Sequence, residues 1–149
     1  MEPAALSVAY WQGRYLDGTT GWDRGQPSPG LNWFLERARK FGWNRILVPG
    51  CGRGHEVIAL AEAGFQVTAL DYTDTAVQHV RQLLDSNQLS AEVIQTDVLE
   101  FCAQVPFDAI YEQTCLCALQ PNLWNAYERK LAEWLRPGGV LFAMFMQTT

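Results

Sequence analysis

Residues 46–57 read ILVPGCGRGHEV: an apolar run, then glycines at 50, 52 and 54, then the opening of a helix. No other segment restricts the fold as much. Closely spaced glycines let the backbone turn sharply and expose its N–H groups, and no Cβ keeps a ligand off the main chain. The helix that follows points its positive end at the same spot. The next apolar run, FQVTALD at 65–71, ends on Asp71. That is about twenty residues beyond the first glycine, where a carboxylate can bind both hydroxyls of a ribose. A tight glycine turn and a surface aspartate would explain each half alone. Together they indicate a nucleotide-cofactor loop.

The spacing also narrows the cofactor. A dinucleotide fingerprint needs GxGxxG, yet counting from Gly50 the third glycine position holds His55, and counting from Gly52 it holds Val57. A phosphate-binding P-loop would close with Lys followed by Ser or Thr, and that pair is missing. An oxidoreductase using NAD is therefore disfavoured, leaving a GxGxG loop followed by an acid at the end of the second strand.

With 149 residues the chain has the length of one domain, enough to bury about two thirds of its unfolded surface around one core. The formal charge of −5 comes with no basic stripe, which argues against a nucleic-acid partner. Neither a long apolar span nor a basic leader is visible, so no membrane association and a cytoplasmic location are expected. Cys51, Cys102, Cys115 and Cys117 lie in or beside apolar segments without a zinc-type spacing, and read as buried thiols in a reducing compartment with no metal. His55 and His79 read as structural or solvated.

The order of elements alternates. A short helix over 4–16 carries Tyr10, Trp11 and Tyr15, followed by a Gly- and Pro-rich loop. Ser28 and Pro29 suit the cap and first position of a helix with Leu31, Phe34, Leu35 and Ala38 on one face. Strands are expected over 44–48, 65–70, 91–95 and 107–111, with helices over 56–63, 73–84 and 121–135. The turn RPGG then leads into VLFAMFM at 140–146, which reads as a strand buried on both faces. Such alternation means an α/β fold, a Rossmann-like doubly wound sheet, mostly parallel, forming one unit over 1–149: an N-terminal helical cap over 1–43 and a core over 44–149. Ligands in such sheets bind beyond the carboxyl ends of the strands. Gly50, Asp71, Asp97 and Glu112 each follow an expected strand, so they should converge on one cleft.

The segments WDRGQPSPG, ILVPGCGRGHEV, VTALDYTDTAV, DVLEF, FDAIYEQTCLCAL and WLRPGG, in this order, resemble the thiopurine and thiol S-methyltransferase family over nearly the whole chain. The resemblance implies an S-adenosylmethionine-dependent methyltransferase. Gly50 and Gly52 would face the methionine portion of the cofactor, Asp71 its ribose, and Asp97 with Val98 its adenine. Trp11, Tyr15 and Trp22 match positions where relatives place aromatics over the cofactor, and aromatic faces attract cations by about 0.5 to 2 kcal/mol. Glu112 and Gln113 would lie on the acceptor side, Gln113 also bordering the cofactor. Relatives usually carry an aromatic or basic residue where this chain has Gln113.

Relatives also continue past the fifth strand with two more, so the sheet is expected to stop short here. Its apolar fifth strand is then exposed to self-association. The expected function is methyl transfer to a small-molecule acceptor that is a soft nucleophile: a thiol, thiopurine, sulfide or halide. Ionising a thiol at neutral pH costs only about 2 kcal/mol, against about 12 for an alcohol near the pKa of water. The alternative is a non-catalytic cofactor-binding or assembly module derived from the same fold.

Overall fold

The computed structural model describes residues 30–51, 54–113, 115 and 119–144. Several expectations lie outside them: the helix over 4–16 with Trp11 and Tyr15, the loop with Trp22, the cap at Ser28 and Pro29, and residues Gly52, Cys117, Phe145 and Met146.

The described chain runs α1 (Gly30–Phe41), β1 (Arg45–Pro49), α2 (His55–Glu62), β2 (Gln66–Asp71), α3 (Asp74–Ser86), β3 (Glu92–Gln95), a 3-10 turn (Val98–Glu100), β4 (Phe107–Gln113), a second 3-10 turn (Pro121–Leu123), α4 (Trp124–Trp134) and β5 (Leu135–Met144). The five strands form one sheet in the order β3-β2-β1-β4-β5, and every pair is parallel. The chain starts in the middle at β1, winds outward to β3, then crosses back to β4. Neighbours of β1 on its two sides thus belong to opposite halves of the winding, which opens a crevice at its carboxyl end.

Alternation along the strands divides the core in two. Ile46, Val48, Val67, Ala69, Ala109 and Tyr111 face α1, α2 and α3, meeting Phe34, Val57, Leu60, Val77 and Val80. Leu47, Leu70, Phe107 and Ile110 face the other way, toward Val98, Tyr127 and Trp134. Of the α1 face read from the sequence, Leu31, Phe34 and Ala38 are buried and Leu35 is only partly so; on α3, Ala76, Val77, Val80 and Leu84 are buried. Thr73 caps α3, its hydroxyl accepting from the Ala76 N–H at 3.2 Å.

Four expectations are corrected. RPGG is not a free turn ahead of the last strand; it lies inside β5 as an irregularity, for Phe107 pairs with Leu135 and the register resumes only at Ala109 with Val140. Arg136 holds it there, its Nε–H donating to Asp108 Oδ1 at 2.7 Å. The helix expected over 121–135 is a 3-10 turn and then α4, and Leu135 already belongs to β5. β5 is not buried on both faces, since it lies at the sheet edge and leaves Val140 38% and Leu141 39% exposed. Cys102 is exposed, whereas Cys51 and Cys115 are buried as expected. Among the described residues no helix is long and apolar enough to cross a membrane.

Candidate functional site

Gly50 directly follows β1 and Gly54 directly precedes α2. Both take left-handed φ, 64° and 83°, which lets the chain reverse between strand and helix without a Cβ penalty. The loop they bound is anchored to the neighbouring strand, because the Cys51 N–H donates to the Leu70 carbonyl at 2.9 Å. Its other wall is Cys115, after β4: a Cβ placed on Gly50 would stand 3.0 Å from the Cys115 Cβ and 3.2 Å from its Sγ.

Asp71 is the last residue of β2 rather than the first beyond it, and is 7% exposed. Its Oδ1 accepts from both the backbone N–H of Thr73 at 3.1 Å and the Thr73 hydroxyl at 3.2 Å. The same threonine caps α3, so the carboxylate is fixed to the helix that follows it. The Thr96 N–H reaches the Asp71 carbonyl at 2.9 Å, which brings the end of β3 alongside. One residue on, Asp97 caps the 3-10 turn, its Oδ1 accepting from the Leu99 N–H at 2.9 Å. Val98 begins that turn and is buried in the second core layer.

Glu112 and Gln113 lie within β4, as its last two residues. Being adjacent in a strand, they point to opposite faces. Glu112 turns toward α4 and is enclosed at 1% exposure, its Oε1 accepting from the Tyr127 hydroxyl at 3.3 Å. Gln113 is half-buried on the other face, where its Oε1 accepts from the Tyr111 hydroxyl at 3.5 Å.

The structure thus brings Gly50, Asp71 and Asp97 to the carboxyl edge of adjacent strands, with Glu112 enclosed behind them. Trp11, Tyr15, Trp22 and Gly52 lie outside the described residues. Burial, followed by the negative charge of Asp71, holds the Cys51 thiol well above its usual pKa. Burial and then the Glu112 carboxylate do the same to Cys115, against a hydrogen bond with Tyr127 that works the other way. Both thiols therefore stay protonated at neutral pH and are poor nucleophiles.

Tyr127 escaped the sequence reading as a polar residue. It lies with Trp134 on the buried face of α4, and a phenol in such a stripe gives no sign of a partner on another element. Asp108 was missed as well; its one signal is an acid inside the strand segment FDAIY.

The arrangement suits a nucleoside cofactor. A left-handed glycine loop opens onto a helix N-terminus, one carboxylate ends the adjacent strand at ribose-binding spacing, and two further acids stand close by. Comparison with known proteins points the same way. The family model described as Thiopurine S-methyltransferase (TPMT) matches residues 6–149. Thiocyanate methyltransferase 1 of Brassica oleracea is 28% identical over 149 residues, covering 99% of this chain and 66% of the relative. Thiopurine S-methyltransferase of Pseudomonas putida (strain GB-1) is 29% identical over 151 residues, covering 89% and 68%. In fold, the chain resembles the 1,6-didemethyltoxoflavin-N1-methyltransferase of Burkholderia thailandensis, solved with bound 1,6-didemethyltoxoflavin and S-adenosylhomocysteine, at TM-score 0.77 and 22% identity over 95% of this chain and 62% of that one. The chain spans 60% to 66% of the length of the plant thiol and thiocyanate methyltransferases it matches.

Proposed function

Because the chain belongs to the thiopurine S-methyltransferase family, we propose that its cleft binds S-adenosylmethionine and serves methyl transfer to a small soft nucleophile such as a thiol, thiopurine, sulfide or halide. The observation that carries this reading is the union of the Gly50 loop with Asp71, tied together through Cys51 and Leu70 at the ends of adjacent strands. When bound, the cofactor supplies an already activated methyl group, so the protein's work is to hold, orient and keep water out.

Asp71, braced by Thr73, holds the ribose. Asp97 and Val98 border the adenine, and Gly50 with Gly52 lets the methionine portion approach the main chain. Trp11, Tyr15 and Trp22, outside the described residues, keep the part the resemblance gives them, aromatics over the cofactor, to which a sulfonium would be attracted. On the acceptor side Gln113 supplies an amide that can donate or accept, while the enclosed Glu112 acts through its charge. Cys51 and Cys115 are kept protonated by burial, so the attacking atom comes from the acceptor. Such a soft acceptor ionises cheaply at neutral pH.

Calorimetric titration with S-adenosylhomocysteine, with NADH as the control ligand, tests the cofactor. Binding near micromolar by the first alone is expected, and its absence would count against this reading. Turnover is then assayed with thiocyanate, hydrosulfide and a thiopurine. Tight cofactor binding without turnover on any of them would favour the second reading, a non-catalytic cofactor-binding or assembly module.

A further inference from the structure

Lys130 of α4 is held at three points. Its side chain is 18% exposed, and Nζ lies 3.1 Å from the Phe101 carbonyl, 3.7 Å from Cys102 Sγ and 3.6 Å from Glu133 Oε2. Three partners thus surround an ammonium that has three donors. The Phe101 carbonyl already accepts the Trp134 indole N–H at 3.0 Å, so fastening that carbonyl does not by itself account for the lysine. The contact that stands out is the one with the thiol. Cys102 is exposed, whereas Cys51 and Cys115 are buried, and its own donation, to the Glu100 carbonyl, is long at 3.9 Å. An open sulfur therefore meets an amine that belongs to another element, 28 residues further along the chain.

We propose that Cys102 and Lys130 form an oxidation-dependent cross-link, a sulfur–nitrogen bond that fastens the segment after the first 3-10 turn to α4. The oxidant is hydrogen peroxide. The Cys102 thiolate attacks one peroxide oxygen, the O–O bond breaks, and the sulfur is oxidised to a sulfenic acid while the other oxygen departs as water. Lys130 gives a proton to solvent, and the lone pair of its amine attacks the sulfenic sulfur. The S–N bond forms, the S–O bond breaks, and the leaving oxygen departs as water with a proton from the amine; sulfenic acids condense with nitrogen in this way. One peroxide is consumed, two waters form, and the protein loses two hydrogens. An added thiol reverses the bond: the first equivalent takes the sulfur into a mixed disulfide and frees the amine, the second releases the Cys102 thiol. Sulfur and nitrogen must close from 3.7 Å, a movement within reach of the flexible lysine stem. The site is independent of the cofactor reading, and the bond would tether the turn that Asp97 caps.

The test treats the purified full chain with a slight excess of peroxide at mildly alkaline pH, then denatures it and maps it by mass spectrometry without reductant. The intact chain should become lighter by two hydrogens, lose tryptic cleavage at Lys130 and yield one peptide pair joined through Cys102 and Lys130. Dithiothreitol should restore the original mass. The denaturant midpoint should rise, because closing a loop of 28 residues constrains the unfolded chain. Lys130→Arg keeps a cation beside Phe101 and Glu133 but offers no free amine, so Cys102 sulfenic acid should accumulate and react with dimedone several-fold more than in wild type. Cys102→Ser should form no bridge. A Cys102 that stays unoxidised, passes on to sulfinic acid with Lys130 free, or pairs with another cysteine overturns the inference, as does equal dimedone labelling of wild type and Lys130→Arg. The wild-type peptide map decides by itself should either variant fail to fold.

Discussion

At Gly54 the backbone takes φ 83°, and a Cβ there would fall 2.6 Å from Val80 Cγ2 on α3. The position thus forbids a side chain twice, once by its conformation and once by contact. Gly54→Ala should cost about 1–2 kcal/mol for the left-handed backbone and about 1–3 kcal/mol for overpacking. Chemical denaturation would measure the sum, and adding Val80→Ala should return only the second part. Asp71 demands a different substitution, because Thr73 leans on its Oδ1 with two hydrogen bonds. Asn keeps an oxygen for Thr73 and removes the charge, so Asp71→Asn should leave the melting temperature nearly unchanged while weakening S-adenosylhomocysteine by about 1.5–3 kcal/mol. Equal affinity in calorimetry would remove Asp71 from the site. The place of Asp71 at the end of β2 was legible because a strand-ending acid at fixed distance from a glycine loop is a local pattern. Tyr127 and Glu112 are fifteen residues apart on different elements, and nothing local announces such a pair.

Between elements, Asp108 is the clasp at the opposite end of the sheet from the cleft. Its Oδ2 accepts from the N–H groups of Asn44 at 2.7 Å and Arg45 at 2.9 Å, where the chain enters β1, and its Oδ1 takes the Arg136 Nε–H at 2.7 Å. One side chain of β4 thereby joins both of its neighbours, β1 and β5. Burial alone would raise this carboxyl; the two backbone N–H groups and the guanidinium outweigh it and hold it below its ordinary value of 3.8. A depressed folded value means stabilisation that is complete above the unfolded pKa and lost as pH falls through the folded one. The stability difference between wild type and Asp108→Asn should therefore stay level above about pH 5 and shrink below about pH 4. Denaturant midpoints across that range check it, and a difference independent of pH would deny the charge its role. The same clasp explains the misplaced RPGG boundary. Gly and Pro announce a turn in the sequence, but whether the turn interrupts a strand or lies inside it is decided by Asp108, a long-range partner of Arg136. Strands, helices and their faces were legible because period and composition are local; boundaries set by distant contacts were not.

For the molecule as a whole, the order β3-β2-β1-β4-β5 leaves two edges of unlike character. β3 has four residues, with Glu92 and Gln95 exposed, a short polar edge of the kind that resists pairing. β5 has ten, pairs with β4 alone among the described residues, and exposes Val140 and Leu141. On one side Trp33 of α1, 48% exposed, rests with its ring 5.2 Å from that of Phe142 and extends the apolar strip. We propose that this edge takes up the β5 of a second copy. A two-fold axis would run the two strands antiparallel, each adding to the other's edge with one self-complementary patch. Net charge of −5 per chain opposes association only at long range and weakly in salt. Light scattering of the chain at tens of micromolar should then give a mass of two copies or more. Leu141→Lys with Val140→Lys should shift it toward one copy without loss of helix or strand signal, since both positions are already open to water. A strictly monomeric wild type would sink the idea, and the cleft at the carboxyl ends of β2, β1 and β4 would stand unaffected, because no residue assigned to it belongs to β5.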